Sequence, residues 1–220
     1  LTVGKSGQNL QVNADSLKAN VAKDAGGNAV FTSDGSGNIS GLNSGFGSAQ
    51  VLIQTQAFTD QATVSFTSGI DTTYKKYVFE YFNINPATAG ANFEFQAGSS
   101  YNETMTTTFF VTYHYEADTA SALEYVASSD QAQGTSYQRL AIDVGNDADQ
   151  CVGGELHIYN PASTTYIKNF YSVNNEAGNS LYSQQNFPAG YFNTTSALTQ
   201  VQFKMSSGNF DGTIKMYGIK

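Results

Sequence analysis

Short runs in which apolar and polar residues alternate, closed off by turn-forming residues, recur along most of this chain. They constrain its fold more than any other feature. Val201, Phe203 and Met205 fall on one side of an extended backbone, with Gln202, Lys204 and Ser206 on the other. Leu156 and Ile158 alternate in the same way with Glu155, His157 and Tyr159. On this pattern residues 50–56, 62–66, 74–84, 91–96, 107–115, 137–144, 155–159, 165–173, 190–193, 200–205 and 213–219 read as strands. Asn85-Pro86, Gly145-Asn146-Asp147, Asn160-Pro161, Ser207-Gly208-Asn209 and Asp211-Gly212 supply turn chemistry between them. Residues 74–84 are apolar on both faces, which suits a central strand covered on each side. No convincing helical period and no solenoid repeat intervenes. The prediction is an all-β sandwich rather than alternating strands and helices.

Composition agrees with a pleated, turn-rich scaffold. Aromatics make up 13% of the 220 residues, as 14 Tyr and 15 Phe without Trp, and there are 21 Gly. Charged residues reach only 13%, about half the usual share, so neither a disordered chain nor a coiled coil fits. The period-two runs place Phe79, Tyr81, Phe93, Phe110, Ile142, Leu156, Ile158, Val201, Phe203, Ile214 and Met216 in the expected core.

The first 46 residues differ in texture from residues 47–220. Their apolar residues are sparse: Val3, Leu10, Val12, Leu17, Val21, Val30, Phe31, Ile39 and Leu42, separated by Gly, Asn and Asp turns. So polar a segment buries too little apolar surface alone to offset its ordering entropy. It is expected to be either a mobile tail or an extended, strand-rich arm that finds its core in copies of itself, and the short apolar beats favour the arm.

The net charge of −8 and a single arginine, Arg139, argue against nucleic-acid binding and against an anionic membrane surface. No apolar run approaches the ~20 residues of a membrane span. Chemistry is equally thinly supplied. His114 and His157 are the only imidazoles, and no G-x-S-x-G elbow accompanies them. Cys151 has neither a disulfide partner nor a basic neighbour in sequence. Glu80 and Glu94 stand isolated, without the closely alternating acids of a sandwich hydrolase. Asp143, Asp147 and Asp149 offer hard oxygens that calcium favours, although a solvated acidic turn explains them too. No phosphate-binding or dinucleotide motif is present, so no cofactor and no enzymatic activity are expected. Tyr113, Tyr115, Tyr159, Tyr166, Tyr171 and Tyr182 suit either a sugar-stacking platform or the rims and interfaces of a sandwich.

Four segments carry a resemblance. Residues 77–88, Y-V-F-E-Y-F-N-I-N-P-A-T, match the pattern Y-x-F-x-F-x-N-I-x-P-A-T except for Tyr81 in place of Phe. Residues 212–219, G-T-I-K-M-Y-G-I, match G-T-I-x-L-Y-G-I except for Met216 in place of Leu. G-E-L-H-I-Y-N-P at 154–161 and G-Y-F-N-T-T-S at 190–196 lie between them in the same order. Together they resemble a jelly-roll domain of structural proteins in tailed, especially marine, bacteriophages, over roughly residues 62–220. The resemblance implies a virion surface protein: a capsid decoration, a head fibre or part of a tail fibre. The partners it implies are two further copies in a homotrimer, neighbouring capsid or tail proteins, and a host-surface glycan. The competing expectation is a monomeric carbohydrate-binding module.

Overall fold

The computed structural model of the chain describes residues 21–36, 38–42 and 49–220, with backbone alone at 40–42. Contacts divide the chain into two units, residues 1–48 and 49–220.

In the first unit β1 (Val21–Lys23), β2 (Ala29–Ser33) and β3 (Ile39–Leu42) form an antiparallel sheet in that order. Its turns are closed by short polar side chains. The Asp24 carboxylate accepts from Asn28 N at 2.9 Å, and Asp34 Oδ1 accepts from Ser36 N at 2.7 Å. Val30 and Phe31 are half-buried, whereas Val21 is exposed. The remaining expected arm contacts at Val3, Leu10, Val12 and Leu17 lie outside the described residues.

The second unit is all-β, with no helix among its described residues. Its strands are β4 (Gln50–Gln61), β5 (Thr63–Phe66), β6 (Lys76–Pro86), β7 (Ala91–Ala97) and β8 (Met105–Tyr115). Then come β9 (Ser121–Tyr125), β10 (Ala132–Gly134), β11 (Gln138–Val144) and β12 (Val152–Tyr159). β13 (Lys168–Gly178), β14 (Tyr182–Phe192), β15 (Val201–Met205) and β16 (Phe210–Ile219) complete it. The larger layer runs β4-β16-β6-β12-β13-β14-β8, with β9 and β10 sharing the far edge of β8. The smaller runs β11-β7-β15-β5 and joins the larger at one residue pair, Val144 with Gly178. All pairings are antiparallel, and β6 to β7, β7 to β8, β11 to β12 and β14 to β15 each cross between layers. This is a sandwich of the jelly-roll kind.

Phenylalanines interlock the two layers. Phe203 on β15 lies 5.5 Å from Phe79 and 5.8 Å from Phe93, ring centre to ring centre. Phe95 on β7 meets Phe170 on β13 at 5.1 Å, edge to face. Each such buried ring contributes about 1.5–3 kcal/mol relative to exposure.

Two expected core residues fall elsewhere. Phe110 is 40% exposed, because β8 points Met105, Thr107, Phe109 and Val111 inward and leaves Phe110 stacked on Phe187 outside, 4.7 Å away. Ile142 is only half-buried. The β11–β7 register slips on both sides of Ala141, and Asp143 takes a left-handed φ of 56°, so Leu140, Ala141 and Val144 fill the core instead. β6 is central, fully covered on its inner face and in part on its outer face, where Val78 is buried. Tyr77, Phe79 and Tyr81 are buried between the layers, whereas Phe82 on the outer face is 42% exposed.

Candidate functional site

The inner face of the larger layer changes character across its width. On β16, β6 and β12 it is aromatic and aliphatic; on β13 and β14 the inward positions become Ser172, Asn174, Glu176, Gln184 and Asn186. Buried polar groups need partners, and most of these have them. Tyr81 Oη lies beside Ser172 Oγ (2.8 Å) and Asn174 Oδ1. Ser172 Oγ donates to the Glu155 carbonyl at 2.6 Å, and Asn174 Nδ2 to that of Leu140 at 2.7 Å. Gln184 Nε2 donates to Glu176 Oε1 at 2.8 Å and reaches Asn186 Oδ1 at 3.0 Å. Glu176 Oε2 and Asn186 Nδ2 are buried without a well-formed hydrogen bond. Burial pushes the Glu176 carboxyl well above the usual carboxylate range, the Asp143 charge adds to this, and the neighbouring amides oppose it.

Where this polar interior reaches the end of the sandwich, the inward stripe of β8 finishes on Tyr113 and Tyr115, and that of β14 begins at Tyr182. Tyr115 and Tyr182 pair directly across the two strands. The three ring centres lie 5.3, 5.8 and 6.3 Å apart. Gly178 faces Tyr182 on β13, and a Cβ there would sit 2.2 Å from the ring, so only glycine leaves the ring its place. Tyr182 Oη donates to Asp143 Oδ2 at 2.8 Å. A cavity of about 210 Å³ is bounded by Tyr113, Tyr115, Glu124, Asp143, Tyr182 and Gln184. Burial and the Asp143 carboxylate raise the Tyr182 phenol, and Glu124 raises that of Tyr113.

The other sequence-expected residues are scattered. Asp143 turns to Tyr182, while the Asp147 carbonyl closes the following turn by accepting from Gln150 N at 3.0 Å. Among the described residues no three His, Cys, Asp or Glu side chains gather as metal ligands, so Asp143, Asp147 and Asp149 are not brought together as a calcium set. His114 is exposed beside Asp118 at 3.1 Å. His157 is buried under Tyr171, stacked at 4.5 Å, with Nε2 2.8 Å from Glu155 Oε1. Burial raises the Glu94 carboxyl, and Lys204, 3.8 Å away, opposes it. Tyr159 stacks on Tyr171 at 6.2 Å, and Tyr166 is 69% exposed, so the six tyrosines do not form one platform.

Sequence reasoning missed one pairing. Glu80 on β6 and Glu155 on β12 stand directly opposite each other beside a shallow cavity of about 520 Å³ that Cys151 also lines. Like charges at such positions repel. Gln50 Nε2 donates to Glu80 at 3.0 Å, and His157 stands by Glu155. No local signal could reveal this pair, because only strand register joins residues so distant in sequence.

Fold and pocket together define an all-β sandwich with a tyrosine-walled, acid-bearing cavity at one end. No family model, no curated protein and no solved structure matches the chain.

Proposed function

We propose that the chain is a non-enzymatic structural protein of a tailed-phage virion. In this reading it is a surface homotrimer, a capsid decoration or fibre, held to capsid or tail proteins through its N-terminal arm. One observation carries the proposal. Three of the four segments behind the phage resemblance fall on β16, β6 and β12, which are neighbours in the larger layer. Their apolar residues Phe79, Tyr81, Ile84, Leu156, Ile158, Ile214 and Met216 all belong to the core. In this reading the resembling segments build the scaffold, and its outer surfaces are left for contacts. Such a scaffold presents contact surfaces, which suits reinforcing a capsid lattice or touching a host surface. Gold-labelled antibody against residues 49–220 should decorate intact particles at fixed head or tail positions in electron micrographs. Purified particles that lack the chain would overturn the proposal.

The tyrosine pocket favours a second reading, a glycan-binding module. Saturable binding of a bacterial surface glycan by a strictly monomeric protein would select that reading instead.

A further inference from the structure

We infer that the pocket on the outer face of the smaller layer, built around Glu94 and Arg139, binds a neutral pyranose sugar through adjacent ring hydroxyls. The inference rests on this pocket and not on the virion proposal, and the pocket shares no lining residue with the tyrosine pocket. Glu94 on β7 and Arg139 on β11 stand directly opposite each other. The Glu94 side chain is only 12% exposed, and Lys204 approaches it to 3.8 Å. No described residue donates a hydrogen bond to its carboxylate within normal reach. Arg139 commits Nη1 to the Ser128 carbonyl at 3.2 Å and to Ser129 Oγ at 3.1 Å. Its Nε and Nη2 are left without a well-formed hydrogen bond to any described residue. A largely buried carboxylate short of donors therefore sits beside a guanidinium with donors free. Two neighbouring hydroxyls answer both, one donating to Glu94 and the other accepting from Arg139.

The pocket is formed in advance. Its second wall belongs to residues 128–137, which three glutamines pin in place. Gln138 Nε2 donates to the Ser129 carbonyl at 2.9 Å, and Gln131 Nε2 to that of Ser136 at 3.0 Å. Gln96 Nε2 reaches the Ser136 carbonyl at 3.2 Å. A ligand therefore has little chain to order on binding. Ser128, Asp130, Ser136 and Tyr137 add hydroxyls and a carboxylate to the lining.

Charge decides the class of ligand. Glu94 and Asp130 are balanced by Arg139 and by the nearby Lys204, so neither an anion nor a cation gains a net attraction. An apolar occupant would strip water from the Glu94 carboxylate without replacing its hydrogen bonds. The volume of about 380 Å³ holds roughly a dozen waters, and a hexose has about that many heavy atoms.

NMR titration of the full chain with the methyl α-glycosides of glucose, galactose and mannose tests this. At least one should give saturable amide shifts centred on Glu94 and residues 128–139. Glu94→Gln keeps the shape but removes the charged acceptor, and should weaken that sugar about tenfold. Arg139→Lys loses the planar fork and should weaken it by about as much, which keeps a variant test available if the first variant misfolds. No saturable binding of any of the three sugars, or unchanged affinity in either folded variant, overturns the inference. Tighter binding of glucuronate or glucosamine than of the neutral sugars overturns it as well, since the site would then select charge. A sugar whose binding is lost in Tyr115→Leu but not in Glu94→Gln would place it in the tyrosine pocket and likewise contradict the inference.

Discussion

Glu176 ties the stability of the sandwich to pH. It is 1% exposed, one carboxyl oxygen lacks a well-formed hydrogen bond, and burial holds its pKa well above the ordinary value. An acid of this kind contributes stability fully below its unfolded pKa, near 4.3. That contribution is lost as pH rises from there through the higher folded pKa. Glu176→Gln preserves the shape and an acceptor for Gln184, so its melting temperature should fall less than that of the native protein as pH rises above about 4.3. Asp24, Asp34 and Asp71 are shifted the opposite way by their turn hydrogen bonds and titrate at lower pH, so they cancel in the difference. Parallel pH profiles for the two proteins would contradict this account. Tyr81 is the neutral counterpart. Its buried hydroxyl serves Asn174 and Ser172, and Tyr81→Phe should cost about 1–3 kcal/mol in denaturant unfolding by leaving those groups short of a partner. An unchanged midpoint would show that the network is dispensable.

Among the elements, β8 separates pairing register from composition. Phe109 and Phe110 are adjacent and chemically identical, yet one is buried and the other 40% exposed. Phe109→Ala should destabilise by about 3–5 kcal/mol. Phe110→Ala should cost far less, and comparable losses for both would put the register of β8 in error. Sequence alone chose the wrong phenylalanine because two consecutive apolar residues satisfy either alternation. The same limit explains Ile142, where the bulge around Ala141 resets the inward positions without leaving any mark in the pattern. By contrast β6, β7, β12, β15 and β16 were legible, because each carries a clean apolar stripe. Inside β13 the apolar Phe170 gives way to Ser172, Asn174 and Glu176, and inside β14 Gln184 and Asn186 follow Tyr182, so the pattern yields strand only over 165–173 and 190–193 and both strands run longer than expected. β9 and β10 escaped notice for a related reason, being short edge pieces with little buried surface. The tyrosine pocket was therefore half legible. Tyr113, Tyr115 and Tyr182 were singled out, but their meeting, and the approach of Asp143, depend on pairing across β8, β14 and β13.

At the scale of the whole molecule, the two units differ in how much apolar surface each buries. Residues 49–220 own a large aromatic core. The described part of residues 1–48 is a three-stranded sheet whose apolar residues are few and partly exposed, with Val21 at 40% and Ile39 at 60%. A sheet that small is marginal alone. The proposed trimer supplies what it lacks, since burying the exposed remainder of Val21 and Ile39 from each copy about a three-fold axis adds part of the ~1.5–3 kcal/mol that full burial of such a side chain contributes. Sedimentation equilibrium of the full chain beside a variant lacking residues 1–43 tests that claim most directly. The account predicts a mass of three chains for the full protein and of one folded chain for the variant. A monomeric full chain, or a truncated protein that remains trimeric, would contradict it.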